Sequence, residues 1–549
     1  MAKPIRTTRA AATTTLASAS RRRFRPLRKV QAWVAAATRD DSAHTAQALW
    51  FITAHVVLWS AILSILKARQ DVHFDIAEAF DWGQSFLFGY GKHPPLSGWI
   101  AGLWFRVFPV ADWAAYTLAM VVCGVGMLAT WGIALKVVDR RRAFLALVML
   151  AIYPIFNFKG FKYNADLVQV ATLPLLVLAY LHAFEKRTAW SGVALGLAAM
   201  LALMTKYWVV TMIGAIGIAA LVHPQRAAFL RSPAPWVAMA TALVAMVPHL
   251  IWLRQVNYAP LTYAGGTYAL SDRWQTLQIV LGYVGHNAAL LAVPIGLAAL
   301  ALAWRPRKLQ DVLRRPLAWV TLPWSRRPSA GVNPGPALNV WIIQVVALIG
   351  PPLGALAFQV YLKTDWGIPM FFLVPVALVA LPWLRVQTAA PARLAAIWLV
   401  LSLATLALAS PIAAYTEKRN AAAAEGYGSH SQLARQLTEV WRKRFATPLK
   451  VVAADTEAGE PISFYAPDHP HVLQPNDHPS SGLTSLAEAT RSGFIGICDA
   501  NDTRFAACED WMKAHAQMAE RMNITTRRVV DGVISSPSSW RVYIVAPTE

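Results

Sequence analysis

From about residue 44 to residue 415 the chain is a succession of apolar runs, and this constrains its fold more than any other feature. A helical span needs ~20 apolar residues, at ~1.5 Å each, to cover ~30 Å of hydrocarbon. A very large soluble core would instead call for amphipathic helices. With 56% hydrophobic and only 15% charged residues in 549, the chain reads as a mainly α, polytopic membrane protein.

Eleven spans are expected, at about 44–68, 112–137, 143–158, 167–184, 190–204, 207–222, 236–253, 276–303, 339–361, 367–384 and 394–415. The formal net charge of +22 supports this reading rather than nucleic-acid binding, because of where the charge lies. Arg and Lys concentrate in the N-terminal tail ("SRRRFRPLRK"), at "DRRRA" and "HPQRAAFLR", and from "RPRKLQDVLRR" to "WSRRPS". If the N-terminus is inside and the spans alternate, these basic loops all fall on the cytoplasmic side, as the positive-inside rule requires. The odd count then places residues 416–549 outside. Residues 1–43 are basic and rich in Ala, Thr and Ser, without a hydrophobic signal core, and read as a disordered cytoplasmic tail.

From residue 416 the polar content rises. "PLKVVAAD", "GFIGICD" and "WRVYIVAP" have strand character, and 430–445 and 505–521 have helix character, so a small soluble α/β domain is expected. It contains Cys498 and Cys508, which an oxidising compartment would allow to pair; Cys123 lies within a span. His and Cys show no metal-ligand spacing, and there is no phosphate-binding glycine loop and no internal repeat.

The chemistry collects on the outer side. In the first outer loop, 69–111, Asp75, Glu78 and Trp82 follow helical spacing and share one face of a short helix, and "PPLSGWIAGLWFRVFP" begins a second helix at its prolines. Asp71, His73, Asp81, Lys92 and His93 lie in the same loop. Other outer boundaries carry Lys159, Lys162, Asn164 and Asp166 ("FKGFKYNADL"), Lys206 ("MTKYW"), His249 and Arg254 ("PHLIWLRQ"), and Lys363 and Asp365 ("YLKTDWGIP"). A single such lysine is accounted for by interfacial snorkelling. A whole set of them facing a carboxylate loop suits an anionic, lipid-linked substrate whose departing phosphate they would stabilise. A carboxylate such as Asp75 or Glu78 within reach of an acceptor hydroxyl can act as general base.

The stretch "FDIAEAFDWGQSFLFGYGKHPPLSGWI" resembles the first outer loop of bacterial glycosyltransferase family 39 proteins, which are similar to protein O-mannosyltransferases and the lipid A aminoarabinose transferase and share the GT-C membrane fold. "FNFKGFKYNAD", "LALMTKYWVV", "PHLIWL" and "KTDWGIPM" support the resemblance, and "FYAPDHPHVL" resembles the C-terminal outer domain of the family. The resemblance implies transfer of a monosaccharide from a polyprenyl-phosphate donor, by inverting displacement, to a lipid, glycan or protein acceptor at the outer face of the bacterial inner membrane. It implies Asp75 as general base, with Glu78 one turn on where relatives have an adjacent acidic pair. It places Lys92, His93 and Lys206 on the donor phosphate, with Arg254 and Lys363 as additions, and makes Lys162, Asn164, Asp166 and Asp365 further outer-face candidates. Lys-His stands where the aminoarabinose transferase has Glu-Lys before the prolines, which removes an acidic ligand, so neither an essential metal nor another cofactor is expected. The competing class is a polytopic lipid or sugar transporter. Such proteins often carry inverted repeats and broken helices at mid-membrane, whereas here no repeat is found and the polar residues gather near one face.

Overall fold

A computed structural model describes residues 41–303, 330–422, 430–475, 484–527, 529–530 and 532–548. The basic tail expected over 1–43 lies outside them except for its last three residues, and most of the basic loop 304–338 is also outside.

The described chain starts with helix α1 (Asp41–Leu66) and turns into two short helices, α2 (Phe74–Ser85) and α3 (Leu96–Val107). The His73 ring caps α2 by accepting the Asp75 N–H at 3.2 Å, and Phe86, in the left-handed region at φ 48°, ends it. Helix α3 starts directly after Pro94 and Pro95, where a missing N–H costs nothing. The two helices cross with their backbones in contact: a Cβ on Gly83 would lie 2.5 Å from the Gly102 nitrogen, and one on Gly102 would lie 2.2 Å from the Gly83 oxygen.

Helices α4 (Asp112–Val137), α5 (Arg140–Ile152), α6 (Ala165–Lys186), α7 (Ala189–Leu203), α8 (Val210–Val222), α9 (Pro233–Gln255), α10 (Ala259–Tyr268), α11 (Arg273–Ala303), α12 (Pro334–Phe358), α13 (Val374–Val379) and α14 (Ala390–Ala422) follow. Among the described residues seven helices are long and apolar enough to cross a bilayer, namely α1, α4, α6, α9, α11, α12 and α14, while α7 and α8 are shorter apolar helices. Helices α4 and α6 are the most enclosed of the seven.

The other two expected spans are not continuous helices. In 143–158, α5 stops at Ile152 and two 3₁₀ turns follow, Pro154–Phe156 and Phe158–Phe161. The Asn157 amide bridges the freed carbonyls of Ala151 (3.0 Å) and Tyr153 (3.1 Å). In 367–384 the chain forms a 3₁₀ turn (Ile368–Phe371) and the six-residue α13, each opened by a proline. The Arg142 guanidinium closes the end of α13 by donating to the carbonyls of Val379 (2.6 Å) and Leu384 (2.7 Å). Such broken backbone is sustainable at membrane depth only when packed inside protein, and nearly all of 142–157 and 366–376 is buried.

The C-terminal region forms α15 (His430–Arg444), β1 (Val451–Ala453), α16 (Thr456–Tyr465), β2 (His471–Leu473), α17 (Leu486–Ser492), β3 (Phe494–Asp499), α18 (Phe505–His515), β4 (Glu520–Thr526), a small β5–β6 hairpin (Val529–Val530, Val533–Ile534) and β7 (Ser538–Val545). Five strands make a mixed sheet in the order β2-β1-β3-β7-β4, with β1 parallel to β2 and β3, and β7 antiparallel to β3 and β4. Alternate residues of β3 enter opposite cores. Ile495 and Ile497 pack with Leu437, Trp441 and Val542, whereas Phe494 and Cys498 pack with Cys508, Met512 and Tyr543. The sheet is therefore covered on both faces, and Cys498 and Cys508 form a disulfide between β3 and α18. The helix expected over 505–521 ends at His515; the polar edge strand β4, with "ERMNITT", carries too few apolar residues to announce itself.

Helix α16 packs on α2. Phe464 and His469 stack edge-on against Phe80, the Tyr465 hydroxyl accepts from Val72 N–H (2.7 Å) and donates to Asp112 (2.9 Å), and Ser463 donates to Asp81 (3.1 Å).

Candidate active site

The stretch from Gly89 to Trp99 is pinned on every side. The Tyr90 ring stacks on Trp82 at 4.8 Å, and its hydroxyl donates to the Trp82 carbonyl at 2.7 Å. Gly89 lies so close to the Trp252 ring that a Cβ would fall 2.2 Å from it, and Leu96 N–H bonds to the Met204 carbonyl at 2.9 Å. These contacts bring the lysines of three distant segments together with the carboxylates of α2.

The resulting cavity, of about 190 Å³, is lined by Asp75, Glu78 and Trp82 of α2, by Lys92 and His93, by Lys162, Asn164 and Asp166, and by Lys206, Lys363 and Trp366. The i, i+3, i+7 spacing read from α2 thus places its three residues on one wall. Lys162 pairs with Asp75 at 2.9 Å, and the Asn164 amide donates to the same carboxylate oxygen at 2.8 Å. Lys92 pairs with the buried Glu78 at 2.6 Å. Lys206 donates to Asp166 at 2.8 Å and lies over the Trp366 ring at 4.8 Å. Asp365 lines a second chamber that shares Lys162, Asn164, Asp166 and Lys363 with the first.

Arg254 is not brought to either chamber. It sits exposed in the last turn of α9, where Trp252 and Leu253 take the buried face. Tyr263 and Tyr268, from helix α10, do line the first chamber; they were not anticipated, because "NYAPLTYAGGTYALSD" carries no charge beside them to mark them. Glu460, entirely buried in α16, was likewise missed, since it lies far along the chain from α2 in the C-terminal region.

The electrostatics separate the carboxyl groups. Burial would raise the Asp75 carboxyl, but Lys162, with His73 and Asn164, pulls it down to about 2, so it is ionised at neutral pH. Burial pushes Asp81 up to about 8 against hydrogen bonds from Ser463 and Gln84, and burial beside Glu78 drives Glu460 well above the usual range. Burial opposes the Lys92 ammonium, yet the Glu78 carboxylate outweighs it and keeps the group charged. His93, buried beside Lys206 and Lys92, is held neutral. One wall therefore presents an ionised base beside the charged Lys92, backed by neutral acids where α16 packs on α2. Among the described residues no three His, Cys, Asp or Glu side chains form a group able to hold a metal ion.

Residues 92–252 match the family model described as dolichyl-phosphate-mannose-protein mannosyltransferase. A curated relative, the lipid A galacturonosyltransferase RgtD of Rhizobium johnstonii, is 23% identical over 282 residues, which is 48% of this chain. The match spans 56% of that relative's own length. Among solved structures, ArnT from Cupriavidus metallidurans bound to undecaprenyl phosphate aligns with a TM-score of 0.58 at 13% identity, over 92% of this chain and 99% of ArnT. The apo form of ArnT gives 0.57 at 13% identity, over 92% of this chain and all of that one. At such identity the structural likeness concerns the fold. Fold, family model and curated relative agree on a multi-pass membrane protein with the GT-C fold, similar over residues 92–252 to the dolichyl-phosphate-mannose-protein mannosyltransferase family.

Proposed function

We propose that this protein is an integral-membrane glycosyltransferase that moves a monosaccharide from a polyprenyl-phosphate donor to a cell-envelope lipid by inverting displacement. The observation that carries the reading is the convergence of an ionised, partly buried Asp75 with Lys92 and Lys206 in one cavity. Asp75 accepts the proton of the acceptor hydroxyl, whose oxygen attacks the anomeric carbon. The bond from that carbon to the phosphate oxygen breaks, and the polyprenyl phosphate leaves with the electron pair. Lys92 and Lys206, with neutral His93 beside them, meet the charge that develops on it. Glu78, buried and paired with Lys92 at 2.6 Å, positions that ammonium, and Asp75, paired with Lys162 at 2.9 Å, takes the base role.

RgtD is named for lipid A and the ArnT structure for undecaprenyl phosphate, so these are the first acceptor and carrier to test here. We place the protein in the bacterial inner membrane with the C-terminal domain in the periplasm. The Cys498–Cys508 disulfide suits an oxidising compartment, and the basic loops suit the opposite side. Asp75→Asn in the full chain tests the function: membrane levels stay normal while mass spectrometry of the envelope lipids shows the sugar missing. A variant that turns over at close to the wild-type rate would remove Asp75 from the reaction.

A further inference from the structure

The second chamber, also about 190 Å³, adjoins the first through their shared wall of Lys162, Asn164, Asp166 and Lys363, and adds Lys159, Asp365 and the apolar Ile155 and Ile368. Across both chambers five lysines face four carboxylates. Three lysines are tightly held: Lys92 by Glu78 at 2.6 Å, Lys162 by Asp75 at 2.9 Å and Lys206 by Asp166 at 2.8 Å. Lys159 lies 3.3 Å from the His286 Nε2, a long contact, and reaches only 3.7 Å from Asp365, whose side chain is 47% exposed. A loose, solvated pair of that kind is worth about 0–1 kcal/mol, so a ligand can displace it cheaply. Lys363 forms no ion pair among the described residues, is half-buried, and lines both chambers.

The donor phosphate, in the reaction proposed above, lies at Lys92 and Lys206. The sugar then lies beside Asp75, whose partners Lys162 and Asn164 belong to both chambers. A substituent of the sugar that points into the second chamber meets Lys363 and then Lys159, one free ammonium and one loosely held. Such a site suits a second anion and wastes its charge on a neutral hydroxymethyl group.

Resting on that transferase reading, we infer that the second chamber receives the carboxylate of a uronic acid, so that the transferred sugar is a hexuronic acid selected by Lys363 and Lys159. The curated relative is itself named for galacturonosyl transfer. A phosphate of the acceptor lipid presents similar anionic chemistry, and the test separates the two sources.

The full-length protein in proteoliposomes is given lipid A and either undecaprenyl-phosphate galacturonic acid or undecaprenyl-phosphate galactose, which differ only at C6. Wild type is expected to use the uronic acid donor at least tenfold better in kcat/KM, and Lys363→Gln and Lys159→Gln each to shrink that ratio severalfold. Thermal unfolding of both variants identifies any loss that reflects misfolding, and the ratio is read on whichever variant folds. Equal use of the two donors by wild type overturns the inference and leaves the transferase reading standing; use of neither overturns both. A loss that tracks the number of phosphates on the lipid A, and not the donor, assigns the anion to the acceptor and also overturns it.

Discussion

Lys162 sets the charge of the proposed base, and its removal gives a measurable displacement. In the protein the Asp75 carboxyl lies at about 2, against an ordinary 3.8, although burial alone would raise it. At ~1.4 kcal/mol per pKa unit the difference corresponds to about 2 kcal/mol of favourable interaction with the ionised form. The side chain is only 14% exposed, so solvent screens little of this. Lys162→Met removes the ammonium at 2.9 Å and leaves Asn164 and His73 to oppose burial, so the carboxyl should rise to or beyond its ordinary value. The depressed carboxyl contributes stability above its unfolded value of 3.8 and loses it as pH falls toward 2; in the variant that contribution disappears. Initial rates of sugar transfer in proteoliposomes, followed from about pH 4 to about pH 8, supply the assay. Wild type should show no acid limb from Asp75 in that range, whereas Lys162→Met should lose activity toward its acid end. An unmoved limb in the variant would refute the argument, as would a wild-type limb near neutrality that follows Asp75.

Three further outcomes test the scaffold. Gly102→Val drives a side chain into the Gly83 carbonyl, and overpacking of this kind costs about 1–3 kcal/mol; a lower unfolding temperature together with weaker transfer is expected, because the crossing fixes the helix that carries Asp75. Replacing Cys498 and Cys508 by Ser opens a loop of sequence separation 10 and should destabilise the C-terminal domain by about 3 kcal/mol in thermal unfolding, a loss that reducing agent reproduces in the wild type. Glu460 stays protonated in the fold while it ionises in the unfolded chain above about its ordinary 4.5, so it lowers stability as pH rises from there; Glu460→Gln should flatten the decline of unfolding temperature on the alkaline side and leave neutral-pH transfer close to wild type.

The apolar runs determined by themselves that the chain forms a helical membrane protein, because uniform hydrophobicity over ~20 residues has few other stable solutions. Local chemistry was legible for the same reason wherever it depends on near neighbours. Helical spacing placed Asp75, Glu78 and Trp82 on one face, and Pro94 and Pro95 marked the start of α3. Even the alternating β3 strand and both cysteines were visible, though the disulfide needed geometry to be established. Periodicity and hydropathy could not show that 143–158 and 367–384 break into short pieces, since a segment buried in protein is as apolar as one facing lipid and only its packing supplies the carbonyl partners of Asn157 and Arg142. Nor could they settle which charges meet. Lys162 and Asp75 are 87 residues apart and Glu460 lies far along the chain in α16, so the pairing that makes Asp75 an ionised base, and leaves Lys363 without an ion pair among the described residues, was decided by the tertiary fold. Electrostatic interactions fall off with distance in space rather than along the chain, and only the folded structure sets those distances.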